Sequence, residues 1–165
     1  MNRPLFTILV GLPATGKSTY CAQALERHPG TVILSTDAYV EARAAELGAS
    51  YNDLWGSLIK EAEADMWETF GRAYRARQSI IVDRTNLTVK ARRKFMATMS
   101  PSLYHRLAVV FELPEEVRER RAAGRPEKVI SPEIIARMRE WYVPPTLSEG
   151  FDAVVSHHLP FEVAA

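Results

Sequence analysis

Gly11-Leu12-Pro13-Ala14-Thr15-Gly16-Lys17-Ser18 has the G-x-x-x-x-G-K-[ST] spacing of a phosphate-binding loop. Its glycines let the backbone turn where a Cβ would clash, so successive N–H groups aim inward at a phosphate chain. Lys17 adds a mobile cation for β- and γ-phosphates, and the Ser18 hydroxyl suits Mg²⁺. With Thr19, these residues form the expected nucleotide-binding set. Two acids extend the chemistry. Phosphoryl transfer needs a base for the incoming hydroxyl and a metal to bridge the phosphates. Asp37 is the expected base, and Asp83 is expected to orient Mg²⁺ or its waters. The structural alternatives are that Asp37 caps a helix starting near Ala38 and that Asp83 bonds the following turn. A further alternative makes Asp83 the acid of an ordinary nucleotide hydrolase and Asp37 incidental.

Cations must also meet the migrating phosphoryl group. Arg121 and Arg125 are four apart, on one helical face if the helix persists, where the chain loosens into a Gly-containing loop. They are the expected lid residues. Arg118 and Arg120 read as a solvated face partnered by Glu115, Glu116 and Glu119. Arg84 leaves the third strand beside the presumed crevice and suits an acceptor phosphate. Arg92, Arg93 and Lys94 either edge a polyanion groove or are plain surface charge. His28, His105, His157 and His158 show no ligand spacing, so no metal site is assigned to them.

These groups need elements to hold them. Leu5–Val10 reads as a buried parallel strand ahead of the loop, and the residues after it read as a helix. Further strands are expected over 31–35, 79–83, 104–112 and 153–156. Helices are expected to about Leu47, over 53–77, over 88–99, from Pro114 to before Gly124, and from Pro132 with Ser131 as cap. Residues 125–130 read as a mobile loop. Leu54, Leu58, Ala62, Met66 and Ala73, with Trp55, Ile59, Trp67, Phe70 and Tyr74, fall at helical spacing and read as a core stripe, not a base-stacking platform. Alternating strands and helices predict an α/β fold, with a parallel central sheet of about five strands covered on both faces. In such a sheet, ligands bind beyond the carboxyl ends of the strands. That places the loop, Asp37 and Asp83 around one crevice.

At 165 residues the chain is expected to form a single domain over 1–165. Its net charge of +1 sets up no global field for nucleic acid, so any polyanion site is a local patch. The lone Cys21 excludes an internal disulfide and reads as a packed apolar residue. No signal-peptide layout and no membrane-length apolar run appear, so a cytoplasmic location without membrane contact is expected.

Together these residues resemble the polynucleotide 5′-hydroxyl kinase branch of the P-loop kinases. The likeness rests on Gly11–Thr19, on Thr36-Asp37, on the "D-x-T-N" turn within Ile81–Thr88, on Arg121 and Arg125, and on Pro145-Thr146-Leu147-Ser148-Glu149-Gly150-Phe151. The last segment looks like the "P-T-x-x-E-G-F" close of kinase domains in DNA-end-repair kinase–phosphatases. The resemblance implies ATP and Mg²⁺ as cofactors and a 5′-OH end of DNA or RNA as acceptor. Asp37 would be the base, with Lys17, Arg121 and Arg125 on the transferring group and Ser18 and Asp83 on the metal. Family members commonly carry an arginine shortly after the base, to grip the acceptor's 3′-phosphate. Here Ala38, Tyr39 and Val40 follow it, leaving Arg43, Arg84 and Asn86 as candidate acceptor contacts. The alternatives are a kinase of a small metabolite, nucleoside or sugar nucleotide, and a non-catalytic or hydrolytic ATP-binding module.

Overall fold

A computed structural model describes residues 3–126 and 128–157 of the chain. Its five strands form one all-parallel sheet in the order β2-β3-β1-β4-β5. They are β1 (Leu5–Val10), β2 (Val32–Leu34), β3 (Ile80–Val82), β4 (His105–Phe111) and β5 (Ala153–His157). Ile8 sits opposite Val82 on one side and Ala108 on the other, so β1 is central. The connection from β3 to β4 passes over β1. The sheet therefore changes winding direction at the carboxyl end of β1, where ligands bind in such folds.

Period-two alternation sorts the side chains. Phe6, Ile8 and Val10 of β1 join Ala108 and Val110 of β4 in one core. Leu9, Val109 and Phe111 point the other way and meet Cys21. The larger core is completed by Met66, Phe70 and Ala73 of α3 (Tyr51–Arg75) and by Phe95 and Met96 of α4 (Val89–Met96). The smaller one is covered by α1 (Lys17–Arg27). Helices thus cover both faces, as an all-parallel sheet requires.

Helix ends follow their caps. Ser35 accepts from the Ala38 amide at the start of α2 (Thr36–Leu47), and Gly48 closes it at φ 63°. Ser50 and Asp53 form a reciprocal capping box on α3. Thr88 and Ser131 cap α4 and α6 (Pro132–Glu140), while α5 spans Glu115–Ala123. Four boundaries differ from expectation. Ser35, not Asp37, caps α2, which leaves the Asp37 carboxylate free for other partners. The long helix runs two residues earlier than predicted, beginning at its capping box; Arg77 beyond it takes φ 55°. α4 stops at Met96, short of the predicted 99. Pro114 caps α5 from outside the helix and is not its first helical residue. The predicted core stripe holds for Ala62, Met66, Phe70 and Ala73, whereas Leu54, Trp55, Leu58 and Ile59 are only half-buried. Among the described residues no helix is long and apolar enough to cross a membrane.

Candidate active site

The phosphate loop is wound tightly on itself. Gly16 takes φ 102° as the cap of α1, and Ala14 takes φ 64°. The Gly11 amide donates to the Thr85 carbonyl at 3.0 Å. A Cβ on Gly11 would stand 2.7 Å from the Phe111 carbonyl oxygen and 3.1 Å from Thr15 Oγ1, so this position excludes other residues. Thr15 Oγ1 donates to the Leu12 carbonyl at 2.8 Å. The Lys17 ammonium donates to Gly11 O at 2.9 Å and Leu12 O at 2.6 Å. Burial pulls its pKa down to about 8, against the opposing charges of Asp83 and Asp37. Leu12 and Pro13 are half-buried, while Ser18 and Thr19 are exposed at the start of α1.

Both acids act on that ammonium, so the ends of β2 and β3 face the loop as parallel-sheet logic requires. Asp83 follows β3, and its amide donates to Leu34 O at 2.9 Å. Its carboxylate and the Cys21 thiol act on each other's charge. Burial raises the Asp83 pKa, with Lys17 opposing. Cys21 packs with Leu9, Ile81, Val109 and Phe111, as expected from the sequence, and also feels the Asp83 charge. Burial first, then the Asp83 charge, lifts its thiol to about 12. Asp37 lies in the first turn of α2 with its side chain 44% exposed. Its Oδ1 accepts from the Tyr51 hydroxyl at 3.0 Å, and its Oδ2 accepts from Lys128 Nζ at 2.5 Å. The same ammonium reaches Glu41 Oε1 at 2.8 Å and lies 4.3 Å from the centroid of the Tyr51 ring.

The turn after Asp83 is bolted from behind. Asn86, at φ 47° and buried, donates its side-chain amide to the Leu9 carbonyl at 2.8 Å. It makes longer bonds to Val82 O and Arg84 O. Its own carbonyl accepts from Arg92 Nη1 at 3.0 Å. Arg92 is 0% exposed and grips Glu149 with two parallel bonds of 2.8 and 2.7 Å. Glu149 in turn accepts from the Thr146 amide at 3.1 Å. Arg92 therefore edges no polyanion groove. It is an internal tie between the tail segment and the turn beside the phosphate loop. Arg93 and Lys94 are exposed, and Lys94 lies 5.3 Å over the Trp67 ring.

The remaining candidates are placed as follows. Arg84 pairs with Glu63 at 3.2 Å, and Arg43 pairs with Glu46 on the exposed face of α2. Arg121 lies half-buried in the last turn of α5. Arg125 lies beyond the helix and exposed, so the two do not share a helical face: α5 stops at Ala123. The loop expected over 125–130 includes Glu127, which lies outside the described residues, as does His158. Arg118 is not a solvated helix residue. It is 6% exposed and bidentate to Glu115, which Arg139 also contacts. Arg118 helps to line a cavity of about 190 Å³ with Gly11, Leu12, Phe111, Glu112 and Tyr142. Sequence reasoning missed Tyr51 and Lys128 as neighbours of Asp37. Nothing local marks Lys128, because its partners lie 91 and 87 residues earlier.

Ser18 and Asp83 suit a magnesium ion. Cys21 follows Ser18 by three residues on α1, and the Asp83 charge acts on its thiol, so that carboxylate lies near the first turn of α1. Among the described residues no three His, Cys, Asp or Glu side chains converge as a metal cage. A lone hydroxyl with one carboxylate fits Mg²⁺, which keeps waters and takes its other ligands from phosphates.

Comparison with known proteins agrees with this fold. A candidate kinase from Chloroflexus aurantiacus J-10-fl superposes with a TM-score of 0.69 at 23% identity, over 95% of this chain and 86% of that one. A chain of the Pnkp1/Rnl/Hen1 RNA repair complex superposes at 0.66 and 22% identity, over 86% of this chain and 44% of that one. A gluconokinase from Sinorhizobium meliloti 1021 superposes at 0.56 and 16% identity, over 97% and 86%. At these identities the likeness is one of fold. No curated protein matches the chain in sequence. A family model described as an AAA domain matches residues 6–145. The chain belongs to that AAA-domain family and has the fold of a P-loop kinase, an architecture that implies nucleotide binding.

Proposed function

We propose that the protein is an ATP-dependent kinase whose acceptor is the 5′-OH end of DNA or RNA. The observation that carries this reading is that Asp37 and Asp83, at the ends of two neighbouring strands, both lie near enough to the buried Lys17 ammonium of the phosphate loop for their charges to act on it. A triphosphate gives Lys17 phosphate oxygens in place of the Gly11 and Leu12 carbonyls. Asp37 takes the proton of the acceptor hydroxyl as its oxygen bonds to the γ-phosphorus and the bond to ADP breaks. Arg121 and Arg125 close from the lid onto the transferring group. Ser18 and Asp83 hold Mg²⁺, which when bound neutralises charge on the β- and γ-oxygens.

The polynucleotide acceptor is supported by the sequence segments that match that kinase branch and by the fold shared with a chain of an RNA repair complex. A small hydroxylic metabolite is the second reading. It is favoured by the acid-rich acceptor side, where Asp37 and Glu41 flank Lys128 and where Glu63 holds Arg84. The test is transfer of labelled γ-phosphate to 5′-OH DNA, 5′-OH RNA, nucleosides and sugars. Label on an oligonucleotide is expected, and Asp37→Asn should abolish it while ATP affinity stays within about twofold. Label on no oligonucleotide removes the polynucleotide reading. Loss of ATP affinity without a selective loss of transfer removes the base.

A further inference from the structure

Both oxygens of the carboxylate read as the base are already engaged. Tyr51 donates to one at 3.0 Å and Lys128 to the other at 2.5 Å. Lys128 is held firmly for a lysine: its side chain is 13% exposed, it bridges Asp37 and Glu41, and its charge faces the Tyr51 ring. Its loop is fastened on either side. The Lys128 amide donates to Arg125 O at 3.1 Å, and Asn52 Nδ2 donates to Val129 O at 3.0 Å. The loop thus reaches the corner between α2 and α3 and sets a cation on the carboxylate that would have to take the acceptor's proton. A general base works only within about 2.6–3.2 Å of the proton that it takes. Water brings no remote binding energy with which to displace the lysine. An acceptor with further contacts does, and can spend that energy on opening the site.

Resting on the base reading above, we propose that Lys128 guards ATP against hydrolysis: it blocks Asp37 until a binding acceptor displaces it. In the guarded transfer the acceptor oxygen bonds to the γ-phosphorus, its proton goes to Asp37, and ADP leaves. In the reaction suppressed, water takes the acceptor's place and yields ADP and inorganic phosphate. Lys128 is a positioning residue in this scheme, and its readout is the ratio of hydrolysis to transfer.

The experiment measures acceptor-free ATP hydrolysis by the full chain, alongside transfer to a 5′-OH oligonucleotide and binding of a fluorescent ATP analogue. Lys128→Gln should raise acceptor-free hydrolysis by about tenfold, the order of one partly buried ion pair. Lys128→Arg should restore the guard. Adding Asp37→Asn to Lys128→Gln should return hydrolysis to the original level. Tyr51→Phe removes a single hydroxyl and should raise hydrolysis less, which keeps the idea testable if Lys128→Gln folds poorly. Unchanged or lower hydrolysis in Lys128→Gln, with analogue binding intact, overturns the guard. So does raised hydrolysis that persists without the Asp37 carboxylate. Either result with normal transfer by the unaltered protein sinks the guard alone. No transfer by the unaltered protein to any acceptor sinks the kinase reading first.

Discussion

Glu149→Ala tests whether the tail segment truly holds the site together. The substitution removes two charge-assisted bonds, at 2.7 and 2.8 Å, from a guanidinium that is 0% exposed. Arg92 would keep only the Asn86 carbonyl as a partner, and the Thr146 amide would lose its acceptor. Breaking a buried pair from one side costs about 3–5 kcal/mol, because a charge is left in the interior without its counter-ion. That is a large share of the roughly 5–15 kcal/mol by which a domain of this kind is stable. At roughly 2–4 °C per kcal/mol, the midpoint of thermal unfolding should fall by roughly 6–20 °C. Circular dichroism against temperature and urea measures it. Removing both charges, as in Arg92→Met with Glu149→Leu, should recover most of the loss, since no bare ion remains. A Glu149→Ala loss below about 1 kcal/mol, or a double variant no better than the single, would refute the reasoning.

Two further predictions concern the phosphate loop. Gly11→Ala places a methyl group 2.7 Å from the Phe111 carbonyl oxygen, and backbone cannot swing aside as a side chain does. ATP affinity should fall by about tenfold or more in calorimetry while the fold persists, and an unchanged affinity would show that the loop yields freely. Burial holds the Lys17 pKa near about 8, so free protein loses that charge as pH rises past this value. If the charged form alone binds triphosphate, affinity should weaken by about tenfold per pH unit above it. Equal affinity at pH 7 and 9 would contradict the assignment. The sign for folding is the reverse: burying a charged lysine opposes stability below about pH 8. That cost shrinks between there and the unfolded value of about 10.4.

Much of this architecture was legible from the chain alone, because its signals are local. The strand before Gly11, the Ser131-Pro132 helix start and the closing Gly150 carry their meaning within a few residues. So does the rule that loops after parallel strands share one edge, which brought Lys17, Asp37 and Asp83 together in advance. What escaped depends on partners remote in sequence. Arg92 sits in a basic run that resembles surface charge, and only the fold brings Glu149 to it. Arg118 differs: its partner Glu115 is three residues away, as the sequence suggests, and only its burial escapes a local reading. The first half of α3 reads as core by periodicity. Yet Trp55 lies against the ring of Tyr51, which meets Asp37 and Lys128. Helical spacing reports a stripe's direction and not how far the protein extends above it.

The tie between Arg92 and Glu149 also orders events during synthesis. The acid lies 57 residues downstream of the arginine. A ribosome must therefore add two more helices and the fourth strand before the guanidinium can be neutralised. Until then the turn next to the nucleotide loop is held by the Asn86–Leu9 bond and by an arginine still without its counter-ion, although the loop itself was made near the start. A nascent chain should gain ATP affinity late and abruptly, when the tail segment docks, and not gradually as each strand joins the sheet.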